Sequence, residues 1–309
     1  MRVIILGGTG FIGSYLAKSL LSLNYEVVVT GTNSSSFYNN LILKNHIKSI
    51  KFEIINLYEK YTLKKIVKEN DIVFNLISPS TPQKSSCFPI DEIKNHFLPQ
   101  IQLIEFLFKL NIKKMIFFSS GGGIYYDNQE TPYKENSLLL PHSPHAIIKL
   151  SIEHYLNFFS KYYLIPILIY RISNPYGPNQ NIKEGFGLIP HLIKSVKENK
   201  SPVLYNHGKI IRDFIYIEDL IEAITISFNK KNNHAIYNLG SGKGTSIKTV
   251  WKIIKKISKS KLEPIYKEKR IIDPPKVILD ITRFSQEYNW KPKTPIEKGL
   301  RITYESSLT

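Results

Sequence analysis

The chain has 309 residues, of which 42% are hydrophobic and 12% aromatic, so it can bury a sizeable core and is not expected to be disordered. Its formal charge of +17 comes from lysines scattered along the chain, without an arginine-rich arm or a basic stripe, so we predict no nucleic-acid partner. We interpret the charge as a solvated surface, with anionic small-molecule substrates or an acidic membrane surface as alternatives.

Three further features of the sequence bear on the cellular location of the protein. No apolar run approaches the roughly 18 residues needed to cross a bilayer, so we expect no stable membrane insertion. The apolar start Arg2–Leu6 leads directly into glycines, which is typical of a buried strand and not of a cleavable leader. The single cysteine, Cys87, cannot form an internal disulfide and favours a reducing compartment. We therefore predict a cytoplasmic protein.

Strand-length and helix-length patterns alternate through the first half of the chain. The predicted strands are Arg2–Leu6, Glu26–Thr30, Ser49–Ile55, Asp71–Ile77, Lys113–Ser119 and Ile165–Ile172. The predicted helices are Ile12–Leu23, Thr62–Glu69, Ile93–Leu110 and Pro144–Lys161. Such alternation predicts an α/β fold in which helices cover both faces of a doubly wound, Rossmann-type parallel sheet.

After Ser173 the pattern changes, because residues 174–178 are dense in turn formers. We predict a helix at Leu188–Glu198, a strand at Arg212–Ile217 with a helix after it, a strand at Ala235–Leu239 and a helix at Ile247–Ile257. The expected organisation is a dinucleotide-binding domain of residues 1–173 and about 206–240. A smaller, discontinuous α+β substrate lobe would take about 174–205 and 241–309.

A glycine-rich turn joins the first predicted strand to the first helix. Gly7, Gly10 and Gly13 are three residues apart, and this spacing allows a tight turn, close approach of a pyrophosphate and close helix–strand packing. The pyrophosphate would lie at the helix N-terminus, where free N–H groups favour an anion. We therefore predict a nicotinamide dinucleotide site.

The end of the second strand bears on which dinucleotide binds. An acid there would accept a hydrogen bond from the adenosine ribose, but the chain has Thr30, Gly31 and Thr32 instead. No arginine stands there for a 2′-phosphate either. We predict NAD, and NADP is not excluded.

Several motifs in order resemble the extended short-chain dehydrogenase/reductase family, and specifically its nucleotide-sugar 4-epimerases. Beyond the glycine turn they are Phe118-Ser119-Ser120 with Ile124-Tyr125, residues 143–150 on a helix, residues 171–177, residues 212–220 and residues 237–242. The resemblance covers nearly the whole chain. It implies a Rossmann fold, a nucleotide-diphosphate-sugar substrate, a role in polysaccharide biosynthesis, and a homodimer formed through the helices at Ile93–Leu110 and Pro144–Lys161.

The resemblance also assigns roles to single residues. In the family a Tyr-x-x-x-Lys pair takes a proton from the sugar hydroxyl and binds the nicotinamide ribose. Here Lys149 matches the lysine, but His145 stands at the tyrosine position, and Gly121, Gly122 and Gly123 stand where a Ser or Thr hydroxyl is expected, with Ser120 adjacent. The predicted catalytic set is His145, Lys149 and Ser120. His96 stands where the family often has an asparagine that supports the lysine through water.

The resemblance also indicates which residues bind the cofactor and the substrate. The predicted cofactor-binding set is Gly7, Gly10, Phe11, Ile12, Gly13, Thr32, Asn33, Asn56, Leu57, Leu76 and Lys149. The predicted substrate-binding set is Asn174, Arg212 and Arg270, in which the arginines match phosphate oxygens with a planar fork. No Cys/His grouping has zinc-ligand spacing, so no metal site is predicted.

Three functions are compatible with these residues. The first is an NAD(P)-dependent nucleotide-sugar epimerase acting at C4 through a transient 4-keto sugar, with an atypical active site. The second is a catalytically impaired homologue that binds sugar nucleotides or dinucleotides, since imidazole is shorter than phenol and geometry must precede pKa in naming a base. The third is a keto-sugar reductase. A 4,6-dehydratase is disfavoured, because that branch has an Asp-Glu pair where this chain has glycines.

Overall fold

The computed structural model describes residues 1–55, 60–180, 187–270 and 273–308. The strands are β1 (Arg2–Leu6), β2 (Glu26–Gly31), β3 (Lys51–Ile54), β4 (Ile72–Asn75), β5 (Lys114–Ser120), β6 (Ile167–Ile172), β7 (Asn174–Tyr176), β8 (Val203–Tyr205), β9 (Ile211–Tyr216), β10 (Ile236–Leu239), β11 (Gly244–Ser246), β12 (Ile265–Lys267) and β13 (Lys276–Val277).

The α-helices are α1 (Phe11–Ser22), α2 (Ser35–Tyr38), α3 (Lys60–Ile66), α4 (Pro82–Cys87), α5 (Pro89–Glu92), α6 (Leu98–Lys109), α7 (Pro144–Tyr163), α8 (Leu188–Lys197), α9 (Ile217–Ser227), α10 (Ile247–Ser258), α11 (Thr282–Tyr288) and α12 (Ile296–Glu305). A π-helical turn at Ile93–Phe97 leads into α6, and 3₁₀ turns lie at Leu43–His46 and Asn206–Gly208.

The strands and helices predicted for the first half are present, with ends that shift by a few residues. The first strand coincides with β1, the second predicted helix ends at Ile66 instead of Glu69, and the third is α-helical only from Leu98 instead of Ile93. β6 begins at Ile167 rather than Ile165, because Leu164 has a positive φ of 57° and Pro166 has no N–H to donate to a ladder.

One large sheet confirms the predicted α/β fold. Among the described residues it has seven strands in the order β10-β6-β5-β4-β1-β2-β3. The pairs β1–β2, β1–β4, β2–β3 and β4–β5 are parallel. The chain therefore builds outward from β1 to β3 and then crosses to β4 on the other side of β1. In open α/β sheets this reversal point, at the carboxyl ends of the strands, is where ligands bind.

The chain divides into two compact units. The first comprises Met1–Ser119, Pro144–Tyr170 and Ile224–Ile236, and the second comprises Ser120–Ser143, Arg171–Ala223 and Tyr237–Thr309. These units and the predicted domains differ in the assignment of residues 120–143, 171–173, about 206–223 and 237–240. The predicted domain boundaries stay a prediction.

The core of the first unit follows from the period-2 alternation of its strands. Alternate residues of three strands lie in one buried cluster with α3, α6 and α7: Ile4 and Leu6, Met115 and Phe117, and Ile167 and Ile169. The helices contribute residues at helical spacing, such as Ile148, Ile152, Leu156 and Phe159 of α7. This packing fixes α7 against the sheet, and with it the two functional side chains that α7 carries.

The second unit is organised around the buried carboxylate of Asp213. Its Oδ1 accepts hydrogen bonds from the N–H and the hydroxyl of Ser241, both at 2.7 Å. Its Oδ2 accepts from the N–H groups of Gly242 at 3.2 Å and Leu279 at 3.3 Å. Burial raises the pKa of Asp213, and these hydrogen bonds oppose that rise. Asp213 thus joins two of the motif segments, residues 212–220 and 237–242.

Within the parts of the chain described here, no helix combines the length and apolar character needed to span a bilayer.

Candidate active site

The glycine turn has the geometry of an anion-binding helix N-terminus. Gly7 has a positive φ of 75°, and a Cβ on Gly13 would lie 2.6 Å from the Cα of Gly8, so a side chain at residue 13 would force the turn apart. Gly10 is the N-cap of α1 and supplies no side-chain cap, and the first turn contains no acidic residue. The first N–H groups of α1 therefore remain available for a phosphate.

Residues around this turn match most of the predicted cofactor-binding set. Phe11 and Ile12 begin α1, and Leu76 follows β4 and donates its N–H to the carbonyl of Leu6 at 3.0 Å. A Cβ on Gly7 would lie 3.4 Å from the backbone of Leu76, so Leu76 borders the turn. The predicted Asn56 and Leu57 lie outside the described residues.

The segment after β2 presents polar groups instead of an acid. Thr32 and Asn33 are exposed, and the Oδ1 of Asn33 accepts hydrogen bonds from the Ser35 hydroxyl at 2.7 Å and the Ser36 N–H at 2.8 Å. Asn33 thus orders the start of α2. Hydroxyl and amide groups can donate to or accept from a ribose, but they carry no charge to oppose or attract a 2′-phosphate.

Helix α7 places His145 and Lys149 on one face, four residues apart. Both are buried, with His145 9% and Lys149 4% exposed. The Nζ of Lys149 donates to the carbonyl of Phe118 at 2.9 Å and lies 4.8 Å from the centroid of the Phe117 ring. Burial lowers the pKa of Lys149 to about 8, with Glu153 opposing the shift. Lys149 therefore still carries a positive charge at neutral pH.

His145 is held by a short polar chain that the sequence did not reveal. The hydroxyl of Ser80 donates to Oε2 of Glu92 at 2.6 Å and lies 3.4 Å from Nδ1 of His145. Because the one hydroxyl proton of Ser80 points at Glu92, Nδ1 of His145 is the donor to Ser80, and Nε2 carries the lone pair. The backbone N–H of His145 also donates to the Ser85 hydroxyl at 3.2 Å.

Two imidazoles in this region are kept neutral. Burial, followed by the charge of Lys149, lowers the pKa of His145 to about 3. Burial, followed by the charge of Lys149 and by His145, lowers the pKa of His96 to about 3. The two rings lie 6.3 Å apart between centroids and are nearly parallel. The spacing of four between Glu92 and His96 was the one signal in the sequence that could have indicated Glu92.

In the second unit, Ser120 begins the glycine segment where the family's hydroxyl is expected. Its Oγ accepts a hydrogen bond from the N–H of Gly122 at 3.3 Å. A Cβ on Gly121 would lie 2.5 Å from the end of the Leu279 side chain and 3.0 Å from the carbonyl of Ile172, so a serine or threonine there would require both to shift. A Cβ on Gly122 would have no neighbour nearer than 4.0 Å.

Tyr125 does not replace the missing base. Its hydroxyl donates to Oδ1 of Asn238 at 2.6 Å and accepts from Arg171 at 3.1 Å. Burial raises the pKa of Tyr125 to about 12, because Arg171 and Asn238 offset it only in part. A phenol that is buried, bonded and hard to ionise serves packing rather than proton transfer.

The predicted substrate arginines come together in the second unit around one carboxylate. Nε of Arg270 donates to Asp273 at 2.7 Å, and Nη2 of Arg212 lies 3.9 Å from the same carboxyl group. Arg212 also donates to the carbonyl of Pro274 at 2.7 Å, and the Arg270 guanidinium lies 4.4 Å from the Tyr205 ring centroid. Burial lowers the pKa of Arg212 to about 10, with Asp273 opposing this. Two guanidinium groups against one carboxylate leave a net positive charge.

Asn174, the third predicted substrate residue, lies in the same unit. Its Nδ2 donates to the carbonyl of Asp213 at 2.9 Å, and β7 pairs in parallel with β9 at this point. The side chain is therefore fixed by the strand that carries Arg212.

Comparisons with known proteins show to which family the chain belongs. The sequence profile of the NAD dependent epimerase/dehydratase family matches residues 3–240, and the chain belongs to this family. The predicted family resemblance and the predicted NAD dependence are thereby confirmed.

Similar proteins are known along the full length of the chain. A protein of Methanocaldococcus jannaschii with a provisional UDP-glucose 4-epimerase assignment is 30% identical over 97% of this chain and 96% of its own length. The UDP-glucose 4-epimerase of Thermotoga maritima, solved with UDP-glucose, is 30% identical, with a TM-score of 0.91 over 100% of this chain and 99% of that one. The Thermus thermophilus UDP-glucose 4-epimerase, solved with NAD, is 25% identical, with a TM-score of 0.88 over 99% and 98%.

Proposed function

We propose that the chain is an NAD-dependent nucleotide-sugar epimerase that acts at C4 through a transient 4-keto sugar. The observation that carries this is the buried Lys149, anchored to the end of β5 and preceded by His145 one helical turn away. The similarity to UDP-glucose 4-epimerases over the whole chain supports it. Bound NAD supplies the chemistry of hydride acceptance and return.

The residues present fit NAD. The uncapped N-terminus of α1 and the glycines at 7 and 13 suit a pyrophosphate, because a side chain at 13 is excluded by the backbone itself. The Lys149 ammonium is held by one carbonyl and retains N–H groups for the nicotinamide ribose. Thr32 and Asn33 offer neutral hydrogen bonds to the adenosine ribose.

His145 takes the place of the family's tyrosine as the proton acceptor. Its tautomer, set through Ser80 and Glu92, presents the Nε2 lone pair to the sugar hydroxyl. The low pKa of His145 keeps this acceptor free at neutral pH, but it also makes the imidazole a weak base for taking the proton of a sugar hydroxyl. We therefore expect turnover that is slow in comparison with a tyrosine-containing relative.

Arg212, Arg270 and Asn174 bind the nucleotide diphosphate. Asp273 holds both guanidinium groups within reach of one another, and a diphosphate can engage their remaining N–H donors. The substrate class is a nucleotide-diphosphate sugar.

A second candidate, a binding protein without efficient chemistry, is favoured by the glycine segment. Residues 121–123 carry no side-chain hydroxyl, and the adjacent Ser120 hydroxyl accepts a hydrogen bond from the N–H of Gly122. Such a protein would bind NAD and a sugar nucleotide and release no product.

One assay distinguishes these functions. The purified protein is incubated with NAD and UDP-, GDP- or dTDP-sugars, while sugar products and reduced nicotinamide are followed together. A C4 epimer without net change in the cofactor supports the epimerase. Consumption of reduced cofactor in proportion to product, with a keto-sugar supplied, would identify a reductase. Tight binding of NAD and sugar nucleotide without any product would identify the binding protein.

We also propose a homodimer, supported by an apolar stripe on α7. Ile147, Tyr155, Phe158 and Tyr162 recur at helical spacing and are exposed, Phe158 by 58% and Tyr162 by 71%. Ile93 and Leu98, before and at the start of α6, are half exposed as well. A stripe of this size is typical of a protein interface.

The dimer is tested by light scattering after size-exclusion chromatography. Phe158→Glu with Tyr162→Glu is expected to give monomers, while Leu23→Glu, on an exposed residue at the end of α1, keeps the dimer. A wild-type monomer at micromolar concentration would contradict the proposal.

We propose a cytoplasmic location and a role in polysaccharide biosynthesis, in keeping with the single exposed thiol of Cys87 and a sugar-nucleotide substrate.

A further inference from the structure

Three buried side chains of the first unit converge at one point behind His145. Glu92, His96 and His145 each offer one donor atom, and these atoms all lie within 4.8 Å of one another. The residues are 7%, 1% and 9% exposed, respectively. Residues 92 and 96 come from consecutive helical segments, and residue 145 comes from α7. The fold therefore brings His145 to a pair, Glu92 and His96, that is four residues apart in the sequence.

The contacts within the cluster are close to those of a metal site. Nδ1 of His96 lies 3.4 Å from Oε2 of Glu92. In a tetrahedral zinc site with ligand bonds of about 2.0–2.1 Å, neighbouring ligand atoms lie roughly 3.4 Å apart. Side-chain adjustments of up to about 1.4 Å would bring pairs as far apart as 4.8 Å into this range.

Of the two ring nitrogens of His96, Nδ1 faces Glu92, whereas Nε2 is buried and has no hydrogen-bond partner among the residues the structure describes. A buried polar atom of this kind costs free energy unless a ligand or water meets it. His96 also lies in the π-helical turn Ile93–Phe97, and such turns are found mostly at functional sites.

We propose that Glu92, His96 and His145 bind a Zn²⁺ ion. Two imidazoles and one carboxylate are a donor set that zinc accepts, and they leave a fourth position for water. Ser80, which donates to Oε2 of Glu92 at 2.6 Å, orients the carboxylate as an outer hydrogen-bond partner. The ion would occupy a ring nitrogen of His145, so zinc and the proton-acceptor role compete for this side chain.

The charge of Lys149 predicts the direction in which zinc affinity changes when this residue is replaced. Lys149 is close enough to act electrostatically on both His96 and His145. A buried cation disfavours a second cation nearby. Lys149→Met is therefore expected to tighten zinc binding at this site, whereas loss of a lysine has little effect on an ion held elsewhere.

The test uses the full chain, stripped of metal by a chelator and without NAD, so that it stands apart from the proposed activity. Zn²⁺ is titrated against a competing indicator dye, and metal content is measured by elemental analysis. We expect one zinc ion per chain, at least tenfold weaker binding in Glu92→Gln and His96→Asn, and tighter binding in Lys149→Met. His154→Gln, at an exposed residue of the same helix, is the matched control and should bind as wild type.

Co²⁺ provides a readout that needs no variant. Cobalt with two nitrogen ligands, a carboxylate and one water is tetrahedral and absorbs strongly in the visible range, whereas surface-bound cobalt is octahedral and absorbs weakly. Strong absorption displaced by Zn²⁺ supports the site. Absence of zinc uptake, weak cobalt absorption, or unchanged affinity in both Glu92→Gln and His96→Asn would overturn it.

Discussion

The Nζ atom of Lys149 donates a 2.9 Å hydrogen bond to the carbonyl oxygen of Phe118. This contact fixes a buried ammonium group at the end of β5, where it can bind a ribose. Because the pKa of Lys149 is lowered only to about 8, the group is charged at pH 7. Lys149→Met is expected to weaken NAD binding at least tenfold, which corresponds to about 1.4 kcal/mol or more.

Calorimetric titration with NAD measures this effect. Lys161→Met, at an exposed position in the last turn of α7, is the matched control and should leave the affinity unchanged. Because the substitution leaves the Phe118 carbonyl and the buried Glu153 without the ammonium group, the titration is made at a temperature at which Lys149→Met is still folded. Equal NAD affinity in Lys149→Met and wild type would show that Lys149 does not contribute to cofactor binding.

His145→Tyr restores the residue that the resemblance places at this position. Tyrosine has a longer reach than imidazole and holds its proton for the return step, so we expect turnover to rise at least tenfold with the preferred sugar nucleotide. The measurement is kcat for product formation, with His154→Tyr as control on the exposed side of the same helix. An active protein whose kcat does not change would show that another group accepts the proton.

The two neutral imidazoles make the fold sensitive to acid. In the unfolded chain a histidine binds a proton below about pH 6.5. In the folded protein burial lowers the pKa of His96 and His145 to about 3, so both imidazoles stay neutral down to that pH. The unfolded state therefore binds more protons between pH 6.5 and 3, and stability falls as the pH is lowered. At pH 5 the loss is about 2 kcal/mol for each imidazole.

Urea unfolding at pH 7 and pH 5, in the presence of a chelator, measures this loss. His96→Asn removes one of the two groups and should lose about half as much stability over this interval. If His96→Asn and wild type lose equal free energy between the two pH values, His96 is not held neutral by the fold.

Arg270→Lys tests the phosphate role of the arginine pair. Lysine keeps the charge but lacks the planar fork, so it cannot hold Asp273 and a phosphate oxygen with the same geometry. We expect about a tenfold rise in the Kd for the sugar nucleotide and no change in the Kd for NAD. Arg301→Lys, exposed on α12, is the control, and a matching change in both variants would contradict the assignment.

Much of the first unit could be predicted because its signals are local. Residues 3–6 are apolar and buried, and the glycine that follows them has a positive φ, so β1 was predicted to the residue. The predicted helix Ile93–Leu110 proved to be a π-helical turn followed by α6, a difference that apolar spacing alone does not reveal. Strands of two or three residues, such as β13, carry too little pattern to be recognised.

Site residues that lie close together in the sequence could be predicted, whereas those that tertiary packing brings together could not. His145 and Lys149 lie four residues apart on one helix, so the motif that carries the family resemblance contains both. Ser80 and Glu92 reach His145 through separate segments of chain. Their roles depend on how α4, α5 and α7 pack, and a single sequence holds no signal for that.

The glycine turn can be tested most directly at Gly10. A Cβ there would meet only the carbonyl of Gly7, at 3.3 Å, so Gly10→Ala should fold with a small adjustment while its methyl group obstructs a bound pyrophosphate. The decisive measurement is calorimetric titration of purified wild type and Gly10→Ala with NAD, after removal of any cofactor that co-purifies. We predict one NAD per chain in wild type and at least tenfold weaker binding in Gly10→Ala at a similar melting temperature. Absence of NAD binding by folded wild-type protein, or equal affinity in the variant, would contradict the proposed cofactor site.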